Sequence, residues 1–483
     1  MDAEILLKIL EEGYEDSFLT PVYELKELPG VKARLAALVR KFRGEFPESR
    51  EVSIVRAPGR VNLLGEHTDY SGLPVLPMAV PREVLCCSSR RRDKRVRVRN
   101  VDPKYPAFDF LVRRRVSFLE RGHWGNYVKA AFQGLTDHSS TSSGLPGLEM
   151  LFDGNIPTGA GLSSSSALVV ATALAILSHS RKKVESLELA EVMAVAERYV
   201  GTQGGGMDQA ASLLSEPGKA LKIDFFPLRA ESVDLAKGYS ILVCNSMVEA
   251  EKTGAAMQAY NGRALECKLA TAVLSRIAGI NGAGRLGDLY RELGSAQLLR
   301  LIRSELNEEP HSLEDIARCL GVRPEEVSER FGLQGTSTGE DISKKSFRLK
   351  ARAVHVVSEA ARVEDGAIIM RKGDADAFGA VMNASHASCR NNFEVSCPEL
   401  DLLTDLAREN GAVGARLTGA GFGGCTVNLV PQQNLDEVKS RVLEAYYEDF
   451  LKRAHPERYE MYKSGTETVF EFRAAAGGQC LVA

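Results

Sequence analysis

Pro157-Thr158-Gly159-Ala160-Gly161-Leu162-Ser163-Ser164-Ser165-Ser166-Ala167 is the stretch on which the reading of this chain turns. A glycine-rich turn runs into four serines and then into an apolar segment reaching Leu177. Glycines let a backbone approach a ligand closely, and the first N–H groups of a helix, together with its dipole, favour an anion. Serine hydroxyls add hydrogen bonds, and one of them can ligate Mg²⁺. The segment lacks the Gly-Lys-Ser/Thr ending of the common P-loop. Capping a buried helix would use only one or two of these residues. Four consecutive serines therefore point to a phosphate cradle.

Upstream, Arg56-Ala-Pro-Gly-Arg60-Val-Asn-Leu-Leu-Gly-Glu66-His67-Thr-Asp69-Tyr70 crowds Arg60, Glu66, His67 and Asp69 around Val61, Leu63 and Leu64. Carboxylates and an imidazole at this density suit a polyhydroxylated ligand, whose hydroxyls need both donors and acceptors. An ordinary salt-bridged turn would look the same. Downstream, Gly201-Thr-Gln-Gly-Gly-Gly-Met-Asp208-Gln209 strips side-chain bulk from the neighbourhood of one carboxylate. Arg416-Leu-Thr-Gly-Ala-Gly-Phe-Gly-Gly-Cys425 is a further glycine-rich turn between apparent strands. Each alone could be a structural turn. Together they describe a site built from several loops around phosphates and a hydroxylated ligand.

The totals narrow the class. At 483 residues the chain exceeds one ordinary core and predicts two or three domains. Lys+Arg 61 against Asp+Glu 64 leaves a net charge of −3, without the basic excess of a nucleic-acid binder. The one basic run, Arg90 to Arg99, alternates with valine and reads as the outer face of a strand. The longest apolar run, Ala167 to Leu177, is too short for a bilayer, which needs roughly 20 residues. Nine scattered cysteines without CxxC pairs fit a reducing cytosol and a cytoplasmic protein, with no zinc site. The acidic N-terminus reads as a short amphipathic helix, not a secretory peptide.

Texture divides the chain into an N-terminal α+β half, residues 1–245, and a second half, 246–483. Short β-branched runs begin at Glu51, and helices are expected from Ala167 and over Leu187 to Val200. After residue 250 helical periodicity dominates, with stretches such as Leu286 to Leu306 and Phe347 to Val363. Residues 307–345 are polar and broken, and the run GTSTGEDISKK reads as a surface loop.

At this point the chain resembles the galactokinase branch of the GHMP kinases in all three of that family's motifs. GRVNLLGEHTDYSGLPVLPMAV (Gly59 to Val80) is similar to the family's sugar-binding segment, IPTGAGLSSSSA to its phosphate loop, and LTGAGFGGC (Leu417 to Cys425) to its third motif. Trp124-Gly-Asn-Tyr-Val-Lys129, GGGMDQ and Ser396-Cys-Pro-Glu-Leu-Asp401 match further. The resemblance implies a two-lobed α+β GHMP kinase fold with the active site between an N-terminal and a C-terminal domain. It also implies an ATP- and Mg²⁺-dependent sugar 1-kinase, monomeric, making galactose 1-phosphate.

Carried over by position, Asp208 would be the catalytic carboxylate at the anomeric hydroxyl, with Arg60 beside it. Glu66, His67, Asp69, Gly205 and Tyr260 would join them around the sugar. Ser165 and Glu197 would hold Mg²⁺. Gly159, Ala160, Gly161, Leu162, Ser163, Ser164 and Ser165 would wrap the phosphates. Trp124 would lie near the adenine, unless it merely packs in the core. An Asp beside an Arg is expected to stay ionised.

The Gly204-Gly205-Gly206 run resembles the N-acetylgalactosamine kinase and plant galactokinase branches, where small residues could leave room for a 2-acetamido group. Thr68 within GEHTDY matches ordinary galactokinases better. Some relatives bind ATP and galactose as transcriptional sensors without turnover, through losses in the serine loop. Here that loop is complete. Mevalonate and homoserine as substrates give no reason for the GEHTDY segment.

Overall fold

The computed structural model describes residues 1–12, 17–138, 144–180, 182–201, 204–249, 255–333 and 345–483. Its strands begin with β1 (Ser53–Leu64), β2 (Leu76–Arg91), β3 (Arg95–Asn100), β4 (Phe108–Leu111), β5 (Gly147–Gly154), β6 (Lys219–Asp224) and β7 (Arg229–Asp234). There follow β8 (Tyr239–Asn245), β9 (His311–Ser312), β10 (Ser346–Phe347), β11 (Gly414–Thr418), β12 (Cys425–Pro431), β13 (Val469–Phe472) and β14 (Gln479–Val482). Six strands make one sheet in the order β14-β1-β2-β5-β3-β4, and four make another in the order β11-β12-β8-β13. The pairs β6-β7 and β9-β10 stand apart.

A cut at 245/246 does not separate the two large sheets. β8, assigned from sequence to the first half, pairs with β12 and β13, while β14 returns from the C-terminus to pair with β1. The periodicity of a strand records which face is buried, but not which distant strand lies beside it.

The apolar run after the serines is the helix Ser164–Ser178, packed on β1 and β2. Its residues are apolar on every side, as a helix surrounded by core must be. β1 is buried along all 12 residues because both faces of its sheet are covered. Val55, Ala57 and Val61 join the large core with that helix, whereas Ile54 faces the N-terminal helices Ala3–Glu12 and Leu28–Glu45. Alternation of successive side chains across the sheet produces the two faces.

Pro58 has no N–H to give the ladder, and the pairing of β1 with β2 shifts register between Pro58 and Arg60. A Cβ on Gly59 would stand 2.6 Å from the Leu162 carbonyl oxygen, so only glycine lets β1 lie against the serine loop. The Arg60 N–H donates to that same oxygen at 3.2 Å.

Helices Ala255–Ala278, Leu286–Glu305 and Leu349–Arg371 contribute to a second core. The expected helix at Phe347 to Val363 runs on to Arg371 because Ala367 and Met370 extend its buried stripe. The helix expected at Leu187 to Val200 ends at Ala196 and tightens into a 3₁₀ turn, Glu197–Val200. Within 307–345 the stretches Leu313–Leu320 and Pro324–Arg330 are helical, and residues 334–344 lie outside the described ones. The basic run covers the end of β2, a turn and β3, two strands where one was expected, with Arg91 and Arg97 reaching Glu149 at 2.7 and 3.1 Å. No described helix is long and apolar enough to cross a membrane.

A polar knot ties the N-terminal helices to the sheet. Glu83 accepts from Arg56 Nε at 2.5 Å, from Tyr23 Oη at 2.9 Å and from Arg34 Nη1 at 3.2 Å. Arg56 also donates to the carbonyls of Ala476 and Gly477. Replacing Glu83 with Ala strands a buried guanidinium and is expected to cost ~3–5 kcal/mol. The midpoint of urea unfolding reads this; an unchanged midpoint would show that the knot is dispensable.

Candidate active site

The Pro58-Gly59 bulge places Arg60 opposite the start of the helix Met207–Leu214. Gly206, at φ 112, turns the chain into that helix and sets Asp208 in its first turn, where the dipole favours an anion. Arg60 Nε and Nη2 approach Asp208 Oδ1 at 2.8 and 2.7 Å, and Nη1 donates to the Gly161 carbonyl at 2.6 Å. Ser163 Oγ donates to Asp208 Oδ2 at 2.6 Å. The Asp208 side chain keeps 21% of its surface exposed, against 6% for Arg60. The carboxylate is thus gripped from behind and open in front.

The four serines do not cap their helix. Ser163 is left-handed at φ 60, and no side chain caps the helix start. Three of their hydroxyls turn to two acids: Ser163 to Asp208, Ser166 to Glu197 Oε2 at 2.8 Å, and Ser165, which lies 3.4 Å from Glu197 Oε1. Gln209 Nε2 also donates to Glu197. Ser165 and Glu197 offer hard oxygen donors to the cleft, which suits Mg²⁺ completed by phosphate oxygens and water. No cluster of three or more His, Cys, Asp or Glu residues forms a dedicated protein cage for a metal among the described residues.

The third glycine-rich turn braces the phosphate loop. A Cβ on Gly419 would stand 2.7 Å from the Gly161 carbonyl oxygen, and one on Gly161 would stand 3.1 Å from that of Thr418. The two loops meet backbone to backbone, a contact that any side chain would pry apart. Ala160, expected at the phosphates, belongs to the core at 1% exposure, so only its backbone is available there.

Two of the expected sugar contacts, Glu66 and Gly205, also brace the site. Glu66 is 1% exposed and accepts from Asn62 Nδ2 at 2.6 Å, Arg416 Nη1 at 3.0 Å and the Gly419 N–H at 2.6 Å. Its carboxylate holds the first motif against the third, and the residue also borders the cleft shared by His67, Asp69 and Asp208. Gly205 gives its N–H to Asp69 Oδ2 at 2.9 Å, and a Cβ on it would stand 2.3 Å from the Asp69 carbonyl carbon. The space it frees is filled by the Asp69–Tyr70 backbone, not by a ligand. Sequence could show that bulk was absent, but not what took its place.

His67, Asp69 and Tyr260 do converge. The His67 and Tyr260 rings lie 5.4 Å apart. Burial, reinforced by His355, pushes His67 down to about 3, so the ring is neutral near pH 7. Its Nε2 stands 3.1 Å from the Ala420 carbonyl, which can only accept, and its Nδ1 stands 3.2 Å from the Tyr70 hydroxyl. Burial and the neighbouring Asp208 raise the Asp69 carboxyl above its ordinary range.

These groups border one cleft of about 1010 Å³, which runs from His67, Asp69 and Tyr260 past Arg60 and Asp208 to the serine loop and on to Tyr105 and Trp124. Trp124 both lines this cleft and packs in the core, its Nε1 donating to the Pro106 carbonyl at 2.9 Å. That tryptophan therefore packs in the core while bordering the cleft. Sequence reasoning missed Asn62, Arg416 and Gln209 as partners of the two glutamates. All three lie inside the glycine-containing motifs quoted above, and that placement was the available signal.

Residues 126–216 match the GHMP kinases N terminal domain, 40–90 the galactokinase galactose-binding signature, and 367–449 the GHMP kinases C terminal family. The chain is 34% identical over 487 residues to a galactokinase of Dictyostelium discoideum, covering 95% of each. Against a galactokinase of Saccharomyces cerevisiae it is 30% identical over 504 residues, covering 91% of this chain and 94% of the other. The structure of Lactococcus lactis galactokinase complexed with galactose superimposes with a TM-score of 0.67 at 28% identity, covering 92% of this chain and 99% of that one. With its α+β architecture and all three motifs at one cleft, the chain belongs to the galactokinase branch of the GHMP kinases.

Proposed function

We propose that this chain transfers the γ-phosphoryl group of ATP to the anomeric hydroxyl of galactose, giving galactose 1-phosphate and ADP. The supporting observation is the junction at Asp208, where Arg60 from the sugar motif and Ser163 from the phosphate loop grip one carboxylate at 2.8 and 2.6 Å. An acceptor hydroxyl in front of Asp208 would therefore lie beside a phosphoryl group held by the serine loop.

Phosphoryl transfer needs chiefly alignment and charge neutralisation. Asp208 accepts a hydrogen bond from the sugar hydroxyl, orients it, and receives its proton as the new O–P bond forms and ADP leaves. Arg60 keeps that carboxylate in place and supplies positive charge beside the transferring group. His67, Asp69 and Tyr260 fix the sugar, with Glu66 and Gly205 holding the turn that carries the first two. The loop Gly159 to Ser165 wraps the phosphates through its backbone and hydroxyls, and Trp124 borders the base. Ser165 and Glu197 would hold Mg²⁺, which neutralises phosphate charge when bound.

Gly204 lines the cleft, and a Cβ placed on it would meet nothing within 4 Å. That open space supports N-acetylgalactosamine as the second reading. A cytoplasmic site of action is supported by nine free thiols, and a monomeric enzyme by a cleft assembled from one chain.

Asp208→Ala is expected to lower kcat by ~10²–10⁴ while the melting temperature holds; near-normal turnover would remove Asp208 from the mechanism, and no ADP release even by the wild type would identify a sensor. Glu197→Gln is expected to raise the Mg²⁺ concentration for half-maximal activity at least ~10-fold, and an unchanged requirement would place the metal elsewhere. Comparing kcat/KM for the two sugars decides the substrate: galactose is expected to lead, and a reversed ratio would establish the 2-acetamido sugar.

A further inference from the structure

The turn Gly65-Glu66-His67 carries two left-handed residues, Gly65 at φ 96 and His67 at φ 62. A non-glycine residue holds that conformation only where its surroundings impose it. A Cβ on Gly65 would stand 2.7 Å from the Val75 Cα, so the turn is pressed against its own chain on one side. On another side lies the helix Leu349–Arg371.

Two residues one turn apart on that helix, His355 and Glu359, are both 0% exposed. They meet backbone groups of two adjacent residues of the turn. The Gly65 N–H donates to Glu359 Oε1 at 2.9 Å, and His355 Nε2 stands 3.1 Å from the Glu66 carbonyl oxygen. A carbonyl only accepts, so Nε2 bears the proton and Nδ1 accepts from the Ser388 hydroxyl at 2.9 Å. Ser385 Oγ donates to the same Oε1 at 2.6 Å, and Arg362 Nε donates to Oε2 at 2.7 Å.

Neither residue borders the cleft. A buried carboxylate and imidazole destabilise a core unless bonded, and packing alone would be served by two aliphatic side chains. Here one presents an acceptor and the other a donor, matched to the Gly65 N–H and the Glu66 C=O of the turn.

We propose that His355 and Glu359 are positioning residues for the sugar: from a helix outside the cleft they set the Gly65–His67 backbone, and through it the His67 ring and the Asp69 carboxylate. The proposal rests on the assignment of that turn to galactose.

Calorimetric titration of galactose into the full-length protein, with KM measured for both substrates, tests it. His355→Leu is expected to raise the galactose Kd and KM roughly ten-fold and to leave the ATP KM within about two-fold. His355→Gln, whose amide can still donate to the Glu66 carbonyl, is expected to recover most of the loss. If His355→Leu does not fold, Ser388→Ala, which removes only the partner of Nδ1, is expected to shift the galactose KM alone and in the same direction. Parallel rises in both KM values, or an unchanged galactose KM in a folded variant, would overturn the positioning role alone. Failure of the wild type to bind galactose would overturn both it and the assignment of the turn.

Discussion

The contact between Arg60 and Asp208 is the constraint around which the active cleft is organised. One guanidinium touches the sugar motif through its own strand, the phosphate loop through the Gly161 carbonyl, and the first turn of the helix Met207–Leu214 through Asp208. Guanidinium is always charged in a protein and presents its donors in a rigid fork, so this three-way junction has one geometry. A half-open ion pair contributes little net stability. Its value lies in alignment, since misplacing one of the three elements would separate acceptor from donor.

Backbone contact is the second organising feature. Gly161, Gly419 and Gly424 bring the phosphate loop and the third motif together with carbonyl oxygens where side chains would otherwise be. Glu66 and Arg416 reinforce this junction from the sugar side, and Thr418 Oγ1 accepts from the Asn62 N–H at 2.8 Å. The three motifs are therefore braced against one another around the cleft. Preorganisation of that kind is what phosphoryl transfer asks of a protein.

The two buried histidines beside the first motif are engaged through both ring nitrogens. Burial pushes His67 down to about 3 and His355 to about 4, so both rings are neutral near pH 7 and each uses one nitrogen as donor and one as acceptor. The unfolded chain would bind protons at these histidines near pH 6.5. Their contribution to stability is thus complete above that pH and is lost as acidity rises toward their folded values.

Much was legible in the residue order. Four serines after glycines, ahead of an apolar run, specify a polar helix start on a buried helix, because local backbone freedom and hydrophobic pattern are sequence-near properties. The density of Arg60, Glu66, His67 and Asp69 likewise pointed to a ligand site, and these residues do line one cleft. What tertiary structure alone decided was which group faces which. Gly205 makes room for the Asp69–Tyr70 backbone, Glu66 answers Arg416 some 350 residues away, and β8 and β14 join sheets on the far side of the chain. His355 and Glu359 carry no motif and read as ordinary helix. Such pairings depend on distances across the fold, and a buried hydrogen bond leaves no periodic trace in sequence because only one partner's neighbourhood is local.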